Sequence, residues 1–135
     1  MDEAARHTGG CHCGAVRYEA RGAPVNVRAC HCASCRKAAG GPFHVRAVFP
    51  VEAVSRQGRM ARYRSSARLW RVFCPMCSTY LFGEPIDRPG FLSINVDSLD
   101  DPGLLPPQMH IWTSSMVGWV RLADGLPQHP EGVAW

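Results

Sequence analysis

Seven cysteines fall in three tight clusters: Cys11-His12-Cys13, Cys30-His31-Cys32-Ala33-Ser34-Cys35 and Cys74-Pro75-Met76-Cys77. A disulfide needs Cα atoms about 5.5–6 Å apart and a near-perpendicular dihedral, a geometry that cysteines two positions apart fit poorly. An odd number in tight clusters also differs from the dispersed pairs of a disulfide scaffold. Reduced thiolates around metal ions are the better reading. A C-x-x-C turn points two sulfurs at one cation while its backbone N–H groups bond to them. In C-x-C on an extended chain the two side chains share a face, with the same result.

The seven divide most sensibly as four plus three. Cys11, Cys13, Cys74 and Cys77, from distant segments, predict a closed tetrahedral structural site. Cys30, Cys32 and Cys35 predict a local tripod whose ion keeps a fourth position open, as catalytic metal sites do. Spacing also admits one ion with the middle cluster as reactive or spare thiols, a second structural site closed by His31 or another side chain, or another pairing of the clusters. A thioredoxin-type role for Cys74 and Cys77 is disfavoured, because no βαβ pattern surrounds them.

Thirteen glycines and eleven prolines in 135 residues interrupt long helices and suit short strands joined by turns. The chain is predicted to be a single zinc-binding domain, residues 1–135, mainly β, with one or two short helical turns. Residues 1–9 read as frayed polar chain ending at the Gly9-Gly10 turn. Strands are predicted at 15–20, 25–29, 43–49, 51–54, 61–64, 69–73, 79–82 and 91–96, with a short extended piece at 110–112. Arg36–Ala39 reads as one helical turn stopped by Gly40-Gly41-Pro42. The hairpin 69–82 carries Cys74 and Cys77 at its tip. The tail from Gly118 is expected across the surface.

The formal charge of +4, nearly all arginine on the positive side, favours small anionic molecules and is too weak to imply nucleic acid. No apolar run approaches the roughly 20 residues of a membrane span. Met1 to Arg6 lacks the apolar core of a secretory signal, so a cytoplasmic setting without membrane association is expected.

Three stretches carry a family resemblance: Gly9-Gly-Cys-His-Cys-Gly-Ala-Val-Arg-Tyr18, Cys30-His-Cys-Ala-Ser-Cys-Arg-Lys37 and Phe73-Cys-Pro-Met-Cys77, with echoes at Ser98–Pro102 and His110–Trp112. On these the chain resembles the glutathione-dependent formaldehyde-activating enzymes, a family that also includes a centromere-associated protein. The resemblance implies a β-tent (Mss4-like) fold of short antiparallel strands and two zinc ions. It puts Cys11, Cys13, Cys74 and Cys77 on a structural zinc, and Cys30, Cys32 and Cys35 on a second zinc where a glutathione thiol binds. It also implies carbon–sulfur lyase chemistry that joins the thiol and formaldehyde into S-hydroxymethylglutathione. A non-catalytic zinc-stapled interaction module is the alternative.

Arg36 and Lys37, just after the tripod, are the nearest candidates for offsetting its charge and gripping glutathione carboxylates; solvated charge on a short helix is the plain reading. His12 and His31 lie between ligands and should point away from the metal. His110 reads as a packed polar histidine, with a pocket acid or base as the other reading. Trp70, Trp112 and Trp119 are predicted core.

Overall fold

Strand alternation sets the architecture, seen here in a computed structural model that describes residues 5–133. Among the described residues the strands are β1 (Arg6–Gly10), β2 (Arg17–Arg21), β3 (Asn26–Cys30), β4 (His44–Pro50), β5 (Val54–Gln57), β6 (Ala61–Ser66), β7 (Leu69–Phe73), β8 (Tyr80–Pro85), β9 (Phe91–Asn95) and β10 (Met109–Ile111). One α-helix, α1 (Ala33–Ala39), follows β3. The fold is thus mainly β. A small sheet runs β1-β2-β5, and a seven-stranded sheet runs β10-β3-β4-β9-β8-β7-β6. All pairings are antiparallel except β10 on β3, which is parallel.

The large sheet has two chemically different faces. Val27, Ala47, Ile94, Phe82 and Val72 are in register across five strands and are all buried. They belong to the core shared with Val16, Tyr18 and Ala20 on and beside the small sheet. Burying a side chain such as Phe82 or Ile94 contributes about 1.5–3 kcal/mol. One residue along each strand the side chains turn to the opposite face. There Arg28 stands opposite Arg46, and Cys30 opposite His44. Arg71 stands opposite Gly83.

Several expectations are corrected. Residues 6–10 form β1 instead of fraying; residues 1–4 of that expectation lie outside the described residues. The Gly9-Gly10 pair is not a turn: a Cβ on Gly9 would run into the Tyr18 ring and the Ser98 carbonyl, so glycine lets β1 lie close over the core. Val51–Ala53 is a 3₁₀ turn and the strand begins at Val54. Trp119 is 72% exposed and Trp112 36% exposed, so neither is core. Trp112 sits at φ 56° in a left-handed turn, and Trp119 lies in a tail that, among the described residues, forms no strand to bury it. Trp70 is half-buried beneath the Arg62 guanidinium, 4.2 Å from its ring centre.

Candidate metal centre

The first sulfur group forms where two turns meet. After β1 the chain turns so that Gly14 N–H donates to the Cys11 carbonyl at 3.1 Å and Val16 N–H to Cys11 Sγ at 3.2 Å. Between β7 and β8, Ser78 N–H donates to the Cys74 carbonyl at 2.8 Å and Met76 N–H to Cys74 Sγ at 3.4 Å. His12 N–H donates to Thr79 Oγ1 at 3.0 Å and docks one turn on the other. The Cys11, Cys13, Cys74 and Cys77 sulfurs lie within 4.8 Å of one another. Cys11 and Cys13 are 3.6 Å apart, and Cys13 and Cys74 3.8 Å.

The second group is local. Cys30 ends β3, Cys32 caps α1, and Cys35 lies in its first turn. Cys32 Sγ accepts from Cys35 N–H at 3.4 Å, an N-cap made by a sulfur. Gly40, at φ 77°, stops the helix in the left-handed conformation. The three sulfurs again lie within 4.8 Å, with Cys30 and Cys32 3.5 Å apart.

Sulfurs at about 2.3 Å from a tetrahedral ion lie about 3.8 Å from one another. The observed separations of 3.5–3.8 Å match that edge and far exceed the roughly 2.05 Å of a disulfide. Both groups therefore fit a metal ion, one with four protein ligands and one with three. Among the described residues, no histidine or carboxylate joins either group, so His31 does not close the second.

Hydrogen bonding pulls the sulfurs in opposite directions: the bond to Cys11 helps push Cys13 up to about 11, while others are held down. Hydrogen bonding from Thr79 Oγ1, 3.2 Å away, holds Cys77 down to about 5. In the tripod, sulfur–sulfur hydrogen bonding with Cys30 and Cys35 holds Cys32 down to about 2, and the bond to Cys32 pushes Cys30 up. Backbone N–H groups aimed at sulfur and a buried guanidinium, that of Arg71, are the standing donors here.

A cavity of about 500 Å³ opens over the tripod, on the arginine face of the large sheet. Cys30, Cys32 and Cys35 line it together with Arg28, Arg46, Arg68, Arg71 and Arg88; among the described residues Asp87 is its one acidic wall residue. Arg36 and Lys37 do not line it. Arg36 Nη1 instead donates to the carbonyls of His31 and Ser115, both at 2.6 Å, tying α1 to the chain after β10. Lys37 is exposed beside Trp119. The arginines that line the cavity were missed by the sequence reading. The available signal was alternation, since Arg28 is two residues from Cys30 and shares its face.

His12 is exposed, whereas His31 is fully buried. His31 Nε2 lies 2.9 Å from His110 Nδ1, and His110 Nε2 lies 2.7 Å from Asp124 Oδ2. Burial lowers the His31 pKa, and the hydrogen bond from His110 lowers that of Asp124. His110 is thus a packed polar histidine in a line that runs from exposed Asp124 in the tail to buried His31, between two tripod ligands.

The sequence profile of the glutathione-dependent formaldehyde-activating enzymes matches residues 6–115. A protein named "Putative glutathione-dependent formaldehyde-activating enzyme" from Aspergillus flavus is 30% identical over 124 residues, covering 87% of this chain and 61% of that one. An uncharacterized lyase of Schizosaccharomyces pombe is 30% identical over 76 residues, 56% of each chain. The chain thus spans about 56–61% of the length of these relatives. A crystal structure of a Rhodobacter sphaeroides protein superposes with a TM-score of 0.57 at 25% identity, covering 69% of this chain and 87% of that one. With its two sulfur groups inside the matched segment, the chain belongs to the glutathione-dependent formaldehyde-activating enzyme family.

Proposed function

We propose that this chain is a single-domain, zinc-dependent carbon–sulfur lyase, which joins a small thiol, glutathione, to formaldehyde and releases S-hydroxymethylglutathione. Cys11, Cys13, Cys74 and Cys77 hold one zinc as a staple between the β1 turn and the β7–β8 hairpin. Cys30, Cys32 and Cys35 hold the second. The observation that carries this reading is the open side of the tripod, which faces a cavity walled by five arginines.

Zinc, when bound, acidifies a coordinated thiol so that the thiolate is available near neutral pH. The chain's own residues supply the rest. Arg46 lines the cavity and offers a guanidinium suited to a glutathione carboxylate, while its neighbour Arg28, held by Asn26 and the Val133 carbonyl, adds positive charge to the wall. Holding the sulfur about 3–3.5 Å from the aldehyde carbon makes the pair a near-attack one. In the net reaction the S–H bond and the carbonyl π bond break, and C–S and O–H bonds form, so no oxidant or reductant is needed. Seven reduced cysteines suit a reducing compartment such as the cytoplasm. Among the described residues, no helix is long and apolar enough to cross a membrane.

The test is carbon NMR of ¹³C-formaldehyde with glutathione, with and without zinc-loaded protein. Adduct formation should be accelerated by the protein, and the acceleration should vanish in Cys32→Ser. An uncatalysed rate with fully loaded protein would instead favour a zinc-stapled interaction module.

A further inference from the structure

Arg71 is 2% exposed, and a buried guanidinium needs both its hydrogen bonds and its charge met. The hydrogen bonds are in place. Nε donates to Ser65 Oγ at 3.0 Å, Nη1 to Tyr80 Oη at 2.9 Å, and Nη2 to Ser34 Oγ at 2.9 Å and to Cys35 Sγ at 3.7 Å. Three of these acceptors are neutral hydroxyls; Tyr80 stays protonated because burial raises its pKa. Among the described residues, no carboxylate forms an ion pair with Arg71. Cys35 is the contact able to bring a negative charge to it.

Three thiolates around a divalent ion carry a net charge of minus one, and a fourth thiolate would make it minus two. A guanidinium fixed beside one sulfur, in a poorly solvated site, offsets one of those charges. Arg71 reaches the tripod from the middle of β7, not from α1. Tyr80 and Ser65, on β8 and β6, fix its fork, so its position does not depend on the flexible reach of a surface side chain.

We propose that Arg71 is the built-in counter-ion of the Cys30–Cys32–Cys35 tripod, balancing its thiolates so that the site holds a divalent metal and still admits an anionic thiol. Its metal-holding half stands on the geometry, and its thiol-admitting half rests on the proposed function. Arg71 acts through Cys35 and is a positioning and charge-balancing residue.

The experiment uses cobalt(II) as a visible probe of both thiolate sites in the full chain, with chelator competition and glutathione titration followed by absorption. Arg71→Gln is expected to weaken cobalt binding at the tripod at least tenfold and glutathione binding to the loaded site by a similar factor. Cobalt at Cys11, Cys13, Cys74 and Cys77 should be unaffected. Arg71→Lys, which keeps the charge but loses the fork, should stay within about threefold of the wild type. Tyr80→Phe, which keeps the guanidinium and removes one neutral partner, should do likewise and covers the case where Arg71→Gln does not fold. The proposal is overturned if Arg71→Gln retains wild-type cobalt affinity, or if Arg71→Lys or Tyr80→Phe is as damaging as the glutamine variant. Wild-type protein that loads cobalt on the tripod yet ignores glutathione would sink the lyase reading, while the cobalt affinities still decide the role of Arg71.

Discussion

Cys13 and Cys74 are 61 residues apart in the chain and hold their sulfurs 3.8 Å apart. A contact of that span closes a long loop, and the entropy of doing so must be met by what the sulfurs bind. Structural zinc contributes on the order of 10–16 kcal/mol apparent in small peptides, comparable to the 5–15 kcal/mol net stability of a domain. Cys74→Ala, or exhaustive chelation, is therefore expected to unfold the chain cooperatively, as read by circular dichroism. Cys32→Ser should remain folded, because the tripod is local and its loss opens no long loop.

The line from Asp124 through His110 to His31 yields a graded expectation. His110→Ala strands the buried His31 Nε2, which should cost about 1–3 kcal/mol in urea unfolding. Asp124→Ala leaves that bond in place and removes a partner that is 41% exposed, so the loss should be below about 1 kcal/mol. Equal losses would mean that His31 and His110 are held by something other than each other.

Stability should respond to acid through Asp100. Hydrogen bonds from Arg17 and then Thr8 hold its carboxyl at about 2, below the ordinary 3.8. A depressed carboxylate pKa stabilises the fold fully above the unfolded value and loses that contribution as pH falls toward the folded one. The loss should run from about pH 4 down to pH 2, and Asp100→Asn should flatten it. Because the pair is about half exposed, the effect should be small and weaken further in salt.

The cavity arginines set the fourth expectation. Arg46→Ala should raise the glutathione concentration needed for half-saturation at least tenfold and leave the zinc content unchanged. Lys37→Ala, which lies outside the cavity, should change neither. Calorimetric titration of zinc-loaded protein separates the two.

Local chemistry was readable in the sequence, whereas long-range register was not. Clustering put sulfurs near one another within each cluster, because C-x-C and C-x-x-C fix two sulfurs within a few residues, but left open which clusters meet. The helix stop at Gly40 and the hairpin around Cys74 followed from equally local signals. Arg28, Arg46 and Arg71 meet only because β3 pairs with β4 and, further across the sheet, β8 pairs with β7. No spacing rule reveals that. Arg36 and Lys37 are near Cys35 in sequence, yet residues one and two apart on a helix do not face the same way. Trp112 and Trp119 misled for a related reason, since large apolar side chains predict burial only where a sheet or helix is there to cover them.

The central claim, two ions held as four plus three with the second open to thiol, is tested most directly by zinc content. Elemental analysis would be run on protein purified under reducing conditions, with and without glutathione, before and after mild chelation. The account expects two zinc ions per chain, with glutathione changing the chelator sensitivity of one and not of the other. A single zinc, or two that are both indifferent to glutathione, would contradict it.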